Sequence, residues 1–389
     1  RLGIPIAAAA GCSAGAVVGG IVGAIAGSMV APILGTILGA GIYVLVGKVA
    51  GSAGLYAPIA FLVAGLVAAF TAFSYAELSA RYPLSGGEAI YVQEGLGLRG
   101  LSILVGGLIV LTGIVSCATL TSGFVGYFQL FLPLPRWLIV TGLVFALWAL
   151  ASWGIAESVK AATVVTLIEV GGLLMIIAVS GQALSALPQR LPELLPPFEF
   201  EAWHGILLGA FLAFYAFIGF EDMVNVAEEV KAPQRNLPRA ILLALGLATV
   251  LYLLVALAAV LTLPLDELVQ SRAPLAEMYR RATGQEPLLI GLISLFAVTN
   301  GALIQIIMGA RVLYGMSRQG WLPRAFGYVS PRTRTPLIAT AAMALVVQGL
   351  ALGVELVALA KATSFIILIV FWIQPGTAGD NAYGAPPTA

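Results

Sequence analysis

Glu169 sits in the apolar run "TVVTLIEVGGLLM" and is a carboxyl group with no charge or polar side chain within two residues of it. Burial in hydrocarbon favours the neutral form of a carboxyl group, so an acid in such a run is a candidate for carrying a proton or an ion. The competing reading is a structural acid hydrogen-bonded to the first span, near residues 34–50. Two other stretches combine an apolar run with glycine. "GTILGAG", residues 35–41, places Gly35, Gly39 and Gly41 in one run, and "AFYAFIGFEDMVN", residues 213–225, places Gly219 just before Glu221 and Asp222. Each interior glycine costs a helix about 1 kcal/mol relative to alanine. Backbone groups freed by a break are tolerated at membrane depth only where protein, a wet cavity or a ligand satisfies them. Half-helix N-termini attract a carboxylate, whereas unwound carbonyls attract an ammonium or a cation. An α-amino acid zwitterion carries both charges. Either glycine alone reads as a helix-packing contact. The matched pair reads as two interrupted helices, each beginning a set of five apolar runs.

Other chemistries lack the residues they need. The chain has one histidine, His204, and two cysteines, Cys12 and Cys117, far apart and in apolar surroundings. No metal site or nucleophilic triad can be built from that spacing, and no cofactor or enzymatic activity is expected. His204, beside Trp203, reads as an interfacial residue. A net charge of +1 gives no basis for nucleic-acid binding. Glu77 and Arg81 form an i,i+4 pair, read as structural or as part of an inner gate. Glu228 and Glu229 near Lys231 and Arg235 read as a solvated charge cluster. Asn300 lies mid-run, where it could face a substrate or bond another helix.

These residues need a scaffold, and composition supplies it. Of 389 residues 60% are hydrophobic and only 10% charged, with mean hydropathy +1.02, which marks an integral membrane protein. The apolar runs are continuous rather than alternating, so the chain spans as helices and not as a barrel. Ten windows follow, near 34–50, 54–76, 100–127, 137–153, 161–182, 204–224, 239–263, 287–312, 336–354 and 357–374. The expected fold is therefore an all-α bundle of about ten spans in a five-plus-five inverted repeat with discontinuous helices 1 and 6. Repeat 1 covers about 34–182 and repeat 2 about 204–374. Placing the loops after spans 2, 4, 6 and 8 in the cytoplasm puts eleven Lys and Arg residues on that side against seven opposite, the favoured sense. Trp137, Trp153, Trp203, Trp321 and Trp372 fall near span ends, as an aromatic belt requires. The charged, amphipathic stretch 264–286 reads as an external surface helix. Residues 1–33, rich in Gly and Ala, are a small-residue packing ridge, a leader, or residues of extraneous origin. Residues 375–389 read as a disordered tail. Oligomeric state is not legible.

Four stretches, "GTILGAGIYVLVGKVAG", "SYAELSARYPLSGGEAIYV", "FYAFIGFEDMVNVAEEVKAPQRNLPRAI" and "ARVLYGMSRQGWLPRAFGYVSPRTRTP", in that order, resemble the signatures of the amino acid/polyamine/organocation permeases, particularly the cationic amino acid transporter-like and bacterial amino acid permease branch. The resemblance covers roughly residues 34–372. It implies secondary active transport of an amino acid across the cytoplasmic membrane, with a substrate site between the broken helices; with Glu169 as the candidate carrier, a proton is the expected coupling ion. By position, the carboxylate site falls on the amides around Ala40 and Gly41 and the ammonium site on carbonyls near Ile37, Tyr215 and Ile218, with the break glycines Gly39 and Gly219 counted among the substrate-binding residues. Tyr215 takes the place of an aromatic lid and Glu221 that of a gating acid. Two features depart from the family. Glu169 stands where proton-coupled members place a lysine, and the two spans that usually follow the tenth are missing, which with the unfamiliar residues 1–33 reads as a fragment around a transporter core.

Overall fold

A computed structural model describes residues 35, 37–38, 41–81, 87–153, 159–222 and 232–373. All regular structure among them is helical. The longer helices are α1 Gly41–Ala53, α2 Ala57–Arg81, α3 Gly87–Leu96, α4 Arg99–Phe128, α5 Arg136–Trp153 and α6 Val159–Val179. Two short ones, α7 Gly181–Ser185 and α8 Leu187–Leu194, precede α9 Phe200–Ala213. Then come α10 Pro233–Thr262, α11 Leu265–Gln270, α12 Pro274–Thr283, α13 Leu288–Arg318, α14 Leu337–Gly353 and α15 Leu356–Ile373. Seven helical stretches are long and apolar enough to cross a bilayer, one of them the continuous α1–α2 unit, and two shorter apolar helices, Val164–Val179 and Leu337–Gly353, lie beside them. The chain is a multi-pass membrane protein.

Hydrophobic residues lie on all sides of these helices, so the pattern that selects partners is residue size rather than polarity. The most extensive pairings join α4 to α13 and α2 to α10, followed by α4 with α15 and α1 with α9. Elements far apart in sequence therefore enclose the centre. Large side chains point outward into lipid, as with Phe70, 78% exposed, while the α2 face turned inward is Ala60, Ala64, Ala68 and Ala72.

The stretch 264–286 differs from the single surface helix expected. It forms α11 and α12, separated at 271–273, and buries Leu268, Leu275 and Met278. Lys48 Nζ on α1 donates to the Val269 carbonyl at 2.8 Å. The apolar side of this amphipathic segment thus packs on the transmembrane helices instead of lying free at the interface. Glu77 and Arg81 form the i,i+4 ion pair that their spacing predicts. Two further elements have no counterpart in the sequence reading: α3, between α2 and α4, and the pair α7–α8. The stretches 1–33 and 375–389, and the cluster at Glu228, Glu229 and Lys231, lie outside the described residues.

Candidate functional site

The clearest irregularity is at Gly219. Helix α9 tightens into a 3-10 turn over Phe214–Phe217, after which Ile218 is extended, at φ −64° and ψ 138°. Gly219 follows at φ +129°. A side chain is strained in that region, so glycine is the residue that lets the chain leave the helix here. The freed amide is not lost: the Gly219 N–H donates to Glu221 Oε2 at 2.8 Å. Glu221 is buried and folds back on its own chain. Asp222 next to it accepts from Gln305 Nε2 on α13 at 3.2 Å.

The other stretch of interest approaches this turn directly. A Cβ built on Gly41 would lie 2.6 Å from the Ala216 Cα and 2.9 Å from its Cβ, so the start of α1 touches backbone where a side chain cannot fit. Gly35, Ile37 and Leu38 are helical and α1 begins at Gly41. Gly39 and Ala40, where the first break is expected, lie outside the described residues.

Tyr252 on α10 ties the two stretches together. Its hydroxyl lies 2.8 Å from the Ile37 carbonyl and 2.9 Å from the Ala216 carbonyl. One proton is thus shared between two backbone oxygens in a buried setting, and each carbonyl keeps a second lone pair. The Tyr215 carbonyl accepts from the Ile218 N–H at 3.2 Å, within the 3-10 turn. Among the expected site residues, then, Ile37 and Gly41 are brought against the segment holding Tyr215, Ile218 and Gly219.

Tyr215 projects toward α4. Its hydroxyl donates to the Ser116 carbonyl at 3.0 Å and lies 3.1 Å from Ser116 Oγ. Around this contact is a small cleft between α4, the α9 turn and α13, lined by Ser116, Leu120, Tyr215, Ile218, Ile304 and Gln305. Its volume of about 20 Å³ holds roughly one water. An amino acid does not fit in it.

Glu169 lies on a neighbouring seam. It is fully buried on α6; Oε1 accepts from Asn300 Nδ2 on α13 at 3.1 Å, while Oε2 has no partner among the described residues. Its backbone carbonyl accepts from the Tyr43 hydroxyl at 2.6 Å, and the Tyr43 carbonyl accepts from the Tyr127 hydroxyl at 2.6 Å. Two tyrosines thereby join α4, α1 and α6 through backbone oxygens. Asn300 bonds another helix, one of its two expected roles.

A further acid, Glu88 on α3, escaped the sequence reading. It is 2% exposed and accepts from the Tyr75 hydroxyl at 2.9 Å. Burial is the main cause that pushes its carboxyl group up to about 7, against a smaller opposing effect of the hydrogen bonds it accepts. Tyr252, Ser116 and Gln305 were also missed. A tyrosine or glutamine amid aliphatic residues was the available signal. No cluster of His, Cys, Asp and Glu fit to hold a metal ion occurs among the described residues, and Cys117 is buried.

Residues 18–375 match the amino acid permease family. The chain is 30% identical over 355 residues to the methylthioribose transporter of Bacillus subtilis, covering 86% of this chain and 75% of that protein. It is 29% identical over 328 residues to the branched-chain amino acid permease BcaP of the same organism, covering 77% and 68%. It is 33% identical over 360 residues to the vacuolar cationic amino acid transporter 2 of Arabidopsis thaliana, covering 85% of this chain and 55% of that longer relative.

Proposed function

Because the chain belongs to the amino acid permease family, we propose that it is a secondary active transporter that moves amino acids across the cytoplasmic membrane by alternating access, coupled to protons. The observation that carries this reading is the turn before the Gly219 break, where Ala216 abuts Gly41 at the start of α1 and shares the Tyr252 hydroxyl with the Ile37 carbonyl. Peptide groups from two chain segments meet at one buried point, held there by Tyr252 and Glu221, whose places a small zwitterion would take.

In this reading α1, α2, α4, α5 and α6 form the first repeat, within 34–182. The second, within 204–374, is α9 with its turn, α10, α13, α14 and α15. Loops after spans 2, 4, 6 and 8 face the cytoplasm. The substrate carboxylate binds the amides around Ala40 and Gly41, its ammonium binds the carbonyls near Ile37, Tyr215 and Ile218, and Gly39 and Gly219 supply the breaks. Tyr215 is the lid: moving it away from Ser116 opens the cleft toward α4. Glu221 gates by exchanging the Gly219 amide for another partner. The substrate is a neutral amino acid, since the α4 run "LSILVGGLIVLTGIVSCATL" offers Ser116 but no acid to a cationic side chain.

Glu169 carries the proton. Its Oε2 is buried and has no partner among the described residues, which leaves one carboxyl oxygen free to take up a proton. Uptake of radiolabelled amino acids into proteoliposomes, with and without an imposed pH gradient, tests the reading. Gradient-driven accumulation that loses its pH dependence in Glu169→Gln is expected. Uptake that requires only internal amino acid would make the protein an uncoupled exchanger. No transport of any amino acid, with correctly inserted protein, would leave a membrane partner or sensor.

A further inference from the structure

The polar side chains around the cleft between α4, the α9 turn and α13 present oxygen acceptors to it. Tyr215 has a single proton, which goes to the Ser116 carbonyl at 3.0 Å. In the 3.1 Å contact between the two hydroxyls the donor is therefore Ser116, and the Ser116 Oγ lone pairs stay open. On the facing helix Gln305 is fixed in a similar way. Its Nε2 donates to Asp222 Oδ2 at 3.2 Å, and a carboxylate accepts without donating, so the amide cannot be turned round. Gln305 Oε1 then points to α4, 3.4 Å from where a Cβ on Gly113 would stand, and accepts no hydrogen bond among the described residues.

Gly113 and Ser116 lie one turn apart on one face of α4, so Ser116 Oγ and Gln305 Oε1 border the same space from facing helices. Leu120, Ile218 and Ile304 close the rest of it with hydrocarbon. Such a lining suits a hydrogen-bond donor on a short apolar stem. The room of about 20 Å³ is that of one water, which is also the size of a hydroxyl group. Space for the carbon that carries it lies beside Gly113. There the next neighbour is Met343 Cε on α14, 3.8 Å from the same Cβ position, and a methionine side chain re-packs readily. A cationic side chain finds no carboxylate in the cleft, because Asp222 is not part of its lining and spends its contact on the Gln305 amide.

We propose that this cleft is a side-chain pocket for a hydroxy amino acid, serine or threonine, and that Gln305 is the residue that sets this preference. The substrate hydroxyl gives its proton to Gln305 Oε1, and its oxygen accepts from the Ser116 hydroxyl once Tyr215 has moved aside. This rests on the transport reading above and narrows it. Tyr215 and Ile218, whose carbonyls hold the substrate ammonium in that reading, also line the cleft, so the backbone and side chain of one small molecule reach both places. Valine has the shape of threonine with a methyl in place of the hydroxyl. It would bury Gln305 Oε1 with no partner, and a site built to bond a hydroxyl rejects the analogue that lacks it.

Radiolabelled threonine and valine, compared by equilibrium binding to the full chain in detergent and by uptake into proteoliposomes, test it. Threonine is expected to be preferred over valine by roughly tenfold or more, the scale on which a buried acceptor left unpaired is penalised. Serine should compete better than alanine. Gln305→Met and Ser116→Ala should each lower the threonine-to-valine ratio severalfold. Lost stability reduces both amino acids alike and does not move that ratio. Valine bound as tightly as threonine by the unaltered protein would sink the pocket and leave the transport reading standing. An unchanged ratio in both variants, or lysine competing better than serine, would do the same. Threonine bound with the expected preference but never taken up would uphold the pocket and sink transport. Neither amino acid bound nor taken up would sink both.

Discussion

Replacing Tyr252 with phenylalanine removes one oxygen atom and leaves the ring, with its edge contacts to Phe61 and Phe217, in place. That oxygen is the link between the Ile37 and Ala216 carbonyls, at 2.8 and 2.9 Å. A hydroxyl has one proton, so the variant takes the shared donor away from both buried carbonyls. The expected cost is about 1–3 kcal/mol, which corresponds to roughly 5- to 150-fold in any equilibrium that depends on the link. Because the lost contact joins the two segments proposed to hold the substrate, the penalty should fall on uptake, as a raised half-saturation concentration and a lowered maximal rate in proteoliposomes. Tyr127→Phe is the matched comparison: it deletes an equally buried hydroxyl, bonded to the Tyr43 carbonyl at 2.6 Å, away from the Gly219 turn. Thermal denaturation in detergent should show a similar stability loss for both, with the larger transport defect in Tyr252→Phe. Equal transport defects, or full activity in Tyr252→Phe, would refute the idea that this hydroxyl couples the two segments.

Three more outcomes follow from single contacts. Gly41→Ala forces a methyl to within 2.6 Å of the Ala216 Cα; overpacking of this kind costs about 1–3 kcal/mol, and uptake should fall at least tenfold while membrane insertion, measured by surface labelling, persists. Gly219→Ala places a side chain at φ +129°, a strain of about 1–3 kcal/mol, which should lower the apparent melting temperature and abolish transport. Glu88 has its folded-state carboxyl group raised to about 7 by burial, so the folded protein holds a proton that the unfolded chain releases near 4. Its contribution is therefore most favourable below about pH 4 and is lost as pH rises toward 7, an order-of-magnitude change of about 3 kcal/mol. Glu88→Gln, which keeps an acceptor for the Tyr75 hydroxyl, should flatten that slope. It should also raise the apparent melting temperature at pH 8 more than at pH 5, a difference that pH-dependent thermal scans of both proteins will show or exclude.

The sequence determined by itself whatever depends on composition and local backbone cost. Continuous apolar runs with 10% charged residues admit only helices in a bilayer, because unpaired peptide groups are too costly there, and each expected window contains a helix. Gly219 before two acids marked the place where the chain leaves its helix for the same reason: only glycine takes that backbone angle cheaply, and an acid two residues on can accept the freed amide. The Asn300 partnership with Glu169, the Tyr252 bridge and the burial of Glu88 were not legible. Each joins residues 13 to 215 positions apart, and an all-round apolar helix carries no polar stripe to say which of its faces meets which neighbour. Only the packing of α1, α6, α10 and α13 around one centre decides which lone polar groups find each other.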